Sequence, residues 1–431
     1  MKFFVDGSEI AHITKPQDIQ YMQMLKFFTN SLAGWPIEAV EGIDGKKNFY
    51  WRNGLVVIAY AYFFGQVFYI YRYINDYTFL VMGHSYITVL MTIVTIARHT
   101  LPYFKCYDDT TADFVHNIHL FNYRNKPGYY KEFHLKIHKI SHAFSVYLCT
   151  LLVTGPSMFN GIPLYNNYAS GAFSFNRSPN VTYEQAVSLL LPFDDTNNFK
   201  GYFVVFLANC CVSYISSCCL CIYDLLLSLM VFHLWGHLKI LTKTLDNFPK
   251  PGFLNPQAIE ADPNKSLKFS DEELKVIHKK LGECVAHHQL ISNFSTRMSN
   301  TFGLSLFIYY GFHQLSGCLL LLECAQLEAA AIICYGPLTL VVFQQLIQLS
   351  FIFELIGTVN EGLTDSVYCL PWEAMDQGNK KIVFTFLRQS QKSMNLKALN
   401  MLSIGVQTMA KILKTTMTYF LMLQTIAKDE S

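Results

Sequence analysis

Charge is what this sequence has least of. Only 15% of its 431 residues are Asp, Glu, Lys or Arg, where an ordinary soluble domain carries about 25%. Hydrophobic residues make up 52% and the mean hydropathy is +0.23, so the chain reads as a polytopic membrane protein. A formal net charge of +2 with lysines in separated groups supplies no basic face, which argues against nucleic acid as a partner. A cleavable secretory signal is also missing, because Asp6 and Glu9 interrupt the start M-K-F-F-V-D-G-S-E-I before an apolar core can form. The N-terminus is therefore expected in the cytosol. Most of the 12 cysteines, including Cys149, Cys210, Cys211, Cys218, Cys219, Cys221, Cys318 and Cys334, lie in apolar runs where a thiol packs as a small polarizable group. That placement argues against a disulfide framework. No Ser/His/Asp set, Gly-rich phosphate loop or H-E-x-x-H motif is present, and nothing points to an enzyme. No internal repeat occurs, which disfavours a transporter built from paired halves.

What the sequence has instead is long apolar windows. A hydrocarbon core about 30 Å thick needs about 20 apolar residues per helix, and seven stretches qualify: Gly54–Tyr71, Thr78–Ala97, Ile140–Phe159, Tyr202–Leu229, Phe302–Leu322, Ala330–Phe353 and, least hydrophobic, Leu402–Ile426. Basic residues crowd alternate connections, such as Arg98 to Lys139, Lys239 to Lys280 and Lys380 to Lys397, whereas the opposite side holds only Arg72, Arg177, Lys200 and Lys428. The positive-inside rule then predicts an all-α membrane protein with seven transmembrane helices, N-terminus cytosolic and C-terminus extracellular. The outer loop 158–200 carries the glycosylation sequon Asn180-Val181-Thr182, which agrees with that orientation. The topology is inverted relative to G-protein-coupled receptors, and neither D-R-Y nor N-P-x-x-Y stands at the expected span ends.

Ionisable groups at bilayer depth suggest function by default. Asp224 and Glu354 fall near the inner ends of their spans rather than at the midplane, which favours structural roles. His84, higher in the second span, could line a cavity with Phe79, Met82 and Tyr86. His134, His138 and His142 recur every four residues and share one helix face; no cysteine or carboxylate joins them at metal-ligand spacing, so they are expected on a wet interfacial face with no metal. His233 and His237 are read in the same way.

The seventh window is the most informative. Thr408, Lys411, Thr415, Thr418, Met422 and Thr425 form a polar stripe interrupted by one thioether, opposite Ile412, Leu413, Met417, Phe420, Leu421 and Leu423. Lipid cannot satisfy such a stripe, so it faces water or protein; around a symmetry axis it becomes a pore wall. Met422 and Ile426, near the outer end, could close that pore by dewetting. The alternative is that the threonines bond back to their own helix and the lysines anchor the inner interface.

The C-terminal third carries a more specific signature. Val367 to Asp376 read V-Y-C-L-P-W-E-A-M-D, followed by L-K-A-L-N-M-L-S-I-G and I-L-K-T-T-M-T-Y-F. These segments, with the size and topology, resemble the insect odorant receptor family over essentially the whole chain, and the Y-x-x-P-W-E-x-M-D form resembles its moth sex-pheromone branch. The resemblance implies an odorant receptor channel fold: a ligand-gated nonselective cation channel formed as a heterotetramer with the odorant receptor co-receptor, in the cell membrane of olfactory neuron dendrites. It implies a cytosolic segment 1–53, four spans over 54–235, cytosolic anchor helices over 236–301, spans five and six over 302–354, a further anchor helix over 355–401, and a pore helix with outer tail over 402–431. It places pore or gate roles on Thr418, Met422, Thr425 and Ile426. A volatile, hydrophobic aliphatic alcohol, aldehyde or acetate is expected among Phe79, Met82, His84 and Tyr86; Cys149, Thr150 and Val153; Phe206 and Asn209; Tyr309, Phe312 and Ser316; and Tyr335. No cofactor is implied. A receptor tuned to plant volatiles shares every one of these features, and a seven-span receptor or carrier of another class is the more distant alternative.

Overall fold

The computed structural model describes residues 12–174, 177–178, 181–254, 268–325, 329–399 and 402–429. Its order is α1 (Gln20–Ser31), α2 (Ile37–Glu41), α3 (Lys46–Tyr73), α4 (Phe79–His99), α5 (Lys105–Asp113), α6 (Tyr130–Ala169), α7 (Phe199–Asp246), α8 (Asp271–Cys324), α9 (Ala329–Tyr368), α10 (Gln377–Ser390), the two-stranded hairpin β1 (Lys397–Ala398) and β2 (Leu402–Ser403), and α11 (Val406–Asp429). Among the described residues, α3, α4, α6, α7, α8 and α9 contain stretches long and apolar enough to cross a membrane. The seventh predicted span, α11, is a continuous helix but does not reach that apolarity, because Lys411, Lys414 and its threonines dilute it.

Four of the helices are far longer than a bilayer requires. α6, α7, α8 and α9 contain 40, 48, 54 and 40 residues, and a rise of about 1.5 Å per residue carries each well past an apolar core about 30 Å thick. Local chemistry fixes their starts. Asn198 accepts the Lys200 N–H at the head of α7, and Ser270 with Glu273 forms a reciprocal capping box at the head of α8. Asp376 accepts the Gly378 and Asn379 amides at the head of α10. Pro156 and Pro163 interrupt the hydrogen-bond ladder of α6 and Pro337 that of α9.

The helix α7 is the axis of the subunit: its most apolar window is 89% buried against 17% for that of α3. A helix apolar on all sides must be enclosed, and from Cys218 to Leu234 every side chain of α7 is buried. The α7 backbone also comes close to its neighbours at Gly236, where a Cβ would lie 2.5 Å from Leu120 Cδ1. At the end of the bundle away from residues 183–190, called its inner end, α1, α5 and the short turns between Phe114 and Tyr123 wrap α6 and α7, with Tyr21, Tyr107, Phe114 and Phe121 fully buried.

This inner wrap changes two expectations. His134, His138 and His142 are not on a wet face: all three are buried, because α1 covers them with Tyr21, whose ring lies 5.5 Å from that of His138, and Phe121 closes over His134 at 5.7 Å. No group of three or more metal-ligating side chains converges there or elsewhere among the described residues. Arg98 likewise belongs not to a basic loop but to α4, where it is 1% exposed and reaches inward to Asp224.

Candidate ligand cavity and its floor

Between α4, α6, α7, α8 and α9 the bundle holds a partly open cavity of about 290 Å³, near the lower end of the range for small-molecule pockets. α7 presents Ser213, Ser217, Leu220 and Cys221 to it, and α9 presents Leu338, Val341, Val342 and Gln345. Both sets follow helical spacing, so each helix offers a single face. His84, Ser85, Thr88 and Met91 of α4, Leu151, Gly155 and Phe159 of α6, and Phe312 of α8 complete the wall.

A non-helical segment closes the outer side. Residues 183–190 turn back between the helices, with Ala186 and Val187 buried, and side chains satisfy their backbone. His84 Nε2 donates to Ala186 O at 2.8 Å, and Asn209 Nδ2 donates to Val187 O at 3.3 Å. Asn167 pairs twice with Glu184 backbone, donating at 2.8 Å and accepting at 2.7 Å. Gln185 contributes its side chain to the cavity while donating to Tyr202 O.

The inner side has a different character. Arg98 Nη2 donates to Asp224 Oδ1 at 2.7 Å, its Nη1 donates to the Cys219 and Leu220 carbonyls, and Tyr309 Oη donates to Asp224 Oδ2 at 2.8 Å. The guanidinium also lies 4.1 Å from the centre of the Tyr309 ring. Every charge here is matched and hydrogen-bonded, as a buried ion pair requires. This node ties α4, α7 and α8 together directly beneath Leu220, Cys221 and Phe312.

The residues predicted from sequence are distributed unevenly around this cavity. His84 and Phe312 line it. Tyr309 belongs to the node beneath, and Asn209 to the seam that holds the inturned segment. Met82, Cys149 and Ser316 are buried in helix contacts, Phe206 packs beside Tyr202, and Thr150 bonds back to Val146 O. Phe79 and Tyr86 contact each other at 5.4 Å, with Phe79 on the exterior, and Val153 is 60% exposed. Tyr335 falls on α9, but its side chain lies outside the described residues, as does that of Ile426 on α11; Asn180 is itself outside them. The α7 face beginning at Ser213 was legible in principle, since Ser213, Ser217 and Cys221 recur every four residues within an apolar run. Nothing local marks Gln345 or the inturned segment.

On α11, Thr408, Met409, Ile412 and Thr416 are buried against the bundle, whereas Thr418 and Met422 face outward. The hydroxyls of Thr415, Thr418 and Thr425 donate to the carbonyls four residues earlier, at 2.8, 3.0 and 2.9 Å. Each hydroxyl thereby satisfies its own proton and leaves oxygen lone pairs on the outer face. The helix begins where Glu354 Oε2 of α9 accepts the Val406 N–H at 3.0 Å, and Gly405 leaves room for that carboxylate, since a Cβ there would come within 2.4 Å of it.

The described residues thus form a bundle containing six helices long and apolar enough to cross a membrane, built around a mostly apolar cavity. The model of the 7tm odorant receptor family matches residues 78–417, and the chain belongs to that family. It is similar in fold to the olfactory receptor OR5 of the insect Machilis hrabei in complex with eugenol, with a TM-score of 0.68 at 11% identity over 94% of this chain and 99% of that one. A second structure of the same Machilis hrabei receptor superposes with a TM-score of 0.65 at 11% identity and the same coverage. A search of curated protein sequences gave no match.

Proposed function

We propose that this chain is the odorant-binding subunit of a ligand-gated nonselective cation channel formed with the odorant receptor co-receptor, and that it is tuned to a long-chain aliphatic alcohol, aldehyde or acetate. The observation that carries the reading is the cavity itself, apolar along most of its wall and closed above by residues 183–190. Family membership supports the channel assignment, and the Tyr368 to Asp376 signature supports the pheromone branch. Basic residues concentrated on one side support seven spans with a cytosolic N-terminus, α11 crossing last as the pore helix. Thr418, Met422, Thr425 and Ile426 would then face the pore, and Asn180 would lie outside the cell. Its cellular address would be the dendritic membrane of olfactory neurons.

Ligand burial is expected to favour a subunit state in which α11 moves outward, shifting an equilibrium already present without ligand. The cavity volume favours a slender ligand, and a short oxygenated plant volatile is the second reading that this volume supports. Currents recorded from cells expressing the chain with and without the co-receptor, against acetates, aldehydes, alcohols and plant volatiles, test the proposal. Val341→Phe, which fills the cavity from α9, should raise the effective agonist concentration at least tenfold at unchanged surface delivery. A normal response from this variant would show that agonists bind elsewhere.

A further inference from the structure

The prolines of the long helices are gathered in one place. Among the described residues, those inside α-helices are Pro156 and Pro163 of α6 and Pro337 of α9, and all of them line the cavity. Pro156 and Pro337 each follow a glycine, Gly155 and Gly336. A proline removes the amide that would bond four residues back, and it bends the helix there. Pro156 thereby frees the Leu152 carbonyl, which accepts instead from the Ser217 hydroxyl of α7 at 3.1 Å. Repair of this kind lets a kink persist in a membrane helix.

The two kinked helices also leave a gap between them. α6 and α9 each pack along α7 but scarcely on each other. Tyr147 and Gln344 tie them together by a side-chain hydrogen bond. On α6, Leu151 and Met158 stand four and eleven residues beyond Tyr147; on α9, Val341 and Pro337 stand three and seven before Gln344. Helical spacing therefore puts each set on the edge that faces the other helix, and all four residues line the cavity. Met158 is 47% exposed, so it borders the cavity and the exterior at once. From Tyr147 to Met158 the edge runs about 16 Å at helical rise. Toward α4 the wall is shut, because the His84 ring stacks on that of Phe159 at 5.7 Å. Val81 is also exposed at the rim, but it stands on α4, a helix with no interior proline.

We infer that the gap between α6 and α9 is a lateral mouth, through which the ligand reaches the cavity from the hydrocarbon of the bilayer. The Gly155-Pro156 and Gly336-Pro337 kinks let its two edges part, and the tie between Tyr147 and Gln344 closes its inner end. An aliphatic chain gains transfer free energy with every CH₂ that leaves water, so such a ligand is concentrated in the membrane before it meets the protein. Entry by this route leaves the hydrogen bonds of residues 183–190 with His84, Asn167 and Asn209 unbroken. The inference rests on the cavity being the odorant site, as proposed above.

A mouth governs rates of entry and exit, whereas a binding contact governs the equilibrium between them. Currents from cells expressing the full chain with the co-receptor, during rapid application and washout of a long-chain alkyl acetate, separate the two. Met158→Trp, which narrows the mouth, should slow both onset and decay roughly tenfold, as an added barrier of about 1.4 kcal/mol would. The steady-state effective concentration should move far less. Pro337→Ala, which restores an amide to α9 and stiffens it, should slow both phases in the same direction. Leu340→Trp puts the same bulk on the exposed face of α9 away from the cavity and should change neither. Unchanged rates in both Met158→Trp and Pro337→Ala would overturn the mouth, as would slowing by Val81→Trp in their place. A shift in effective concentration at unchanged rates would make Met158 a ligand contact, which also overturns the mouth and leaves the cavity as the binding site. A normal response from Val341→Phe would remove the cavity as the agonist site, and both readings would fall.

Discussion

The wall of the cavity and the Arg98–Asp224–Tyr309 node beneath it treat polar side chains in opposite ways. On the wall, the Ser213 hydroxyl borders open space and has no hydrogen-bond partner. In the node, Arg98, Asp224 and Tyr309 satisfy one another, and beyond it a partly paired knot of imidazoles and tyrosines fills the volume between α1, α6 and α7, where both ring nitrogens of His134 are buried without a hydrogen-bond partner. Tyr21 Oη there lies 2.9 Å from His119 Nε2, and His237 Nδ1 lies 2.9 Å from His287 Nε2. Unfilled hydrogen-bonding capacity is useful where a ligand arrives, whereas a fully matched polar network gives one packing and resists alternatives. The cavity wall can accept a guest, and the node holds α4, α7 and α8 in register while it does so.

The sharpest way to break this contrast is to unmatch the node. Removing one partner of a buried ion pair leaves a stranded charge and costs about 3–5 kcal/mol. Arg98→Met or Asp224→Asn should therefore sharply lower the melting temperature in detergent and the amount of receptor at the cell surface. The double replacement Arg98→Met with Asp224→Leu should recover much of the loss, because no charge remains unpaired. Single variants that melt like the parent would show that the node is not a stabilising element.

The imidazole knot gives a second, smaller test, and its sign follows from burial. Burial holds His119 well below its usual value and brings His237, which lies on α7 beyond the predicted span, down to about 4. Neutral histidine is the folded form, so the unfolded chain binds more protons between pH 6.5 and 4, and stability falls as the pH drops through that window. The loss approaches about 1.4 kcal/mol per pH unit for each such histidine. Melting temperatures measured from pH 7.5 to 5 should decline, and His237→Gln should flatten the decline. A pH-independent melt would mean that the knot is hydrated.

Glu354 comes next. As the acceptor for the first amide of α11 it does the work of an N-cap, for which truncation costs about 1 kcal/mol. Glu354→Ala should destabilise modestly, while Glu354→Gln, which keeps an acceptor oxygen, should do less. If α11 moves during opening, the alanine variant should also shift the agonist dose–response curve more than its small stability loss explains.

These regions were not equally legible in the sequence. Apolar windows located α3, α4 and α6 to α9, because span length and hydropathy are properties of contiguous residues. Depth alone marks Asp224 as structural but does not reveal its partner Arg98, since the contact joins residues more than a hundred positions apart. The histidine stripe on α6 was visible as a stripe, yet its burial depends on Tyr21 and Phe121 from distant segments. His84 and Phe312 were found because each stood on an outer-half helix face. Gln345 carries no such signal, because one amide in an apolar helix looks like ordinary surface polarity until the neighbouring helices bring it to the cavity.

The smallest predicted effect concerns α11, where sequence and structure pull in different directions. The polar stripe suggested a wall that needs water, but Thr415, Thr418 and Thr425 are satisfied by their own backbone, so the stripe by itself does not demand a pore. Thr418→Val removes one hydroxyl and conserves shape. On an exposed helix face its stability cost should stay within about 0.5 kcal/mol. If Thr418 lines a pore, the hydroxyl oxygen it directs outward helps replace water around a passing cation, and the valine should change single-channel conductance or cation permeability ratios while leaving the melting temperature and the agonist dose–response curve unchanged. Such a split between conduction and stability has no counterpart if the residue merely faces lipid. An unchanged conductance would return the stripe to the role of a back-bonded membrane helix and leave the outer cavity as the chain's principal functional feature.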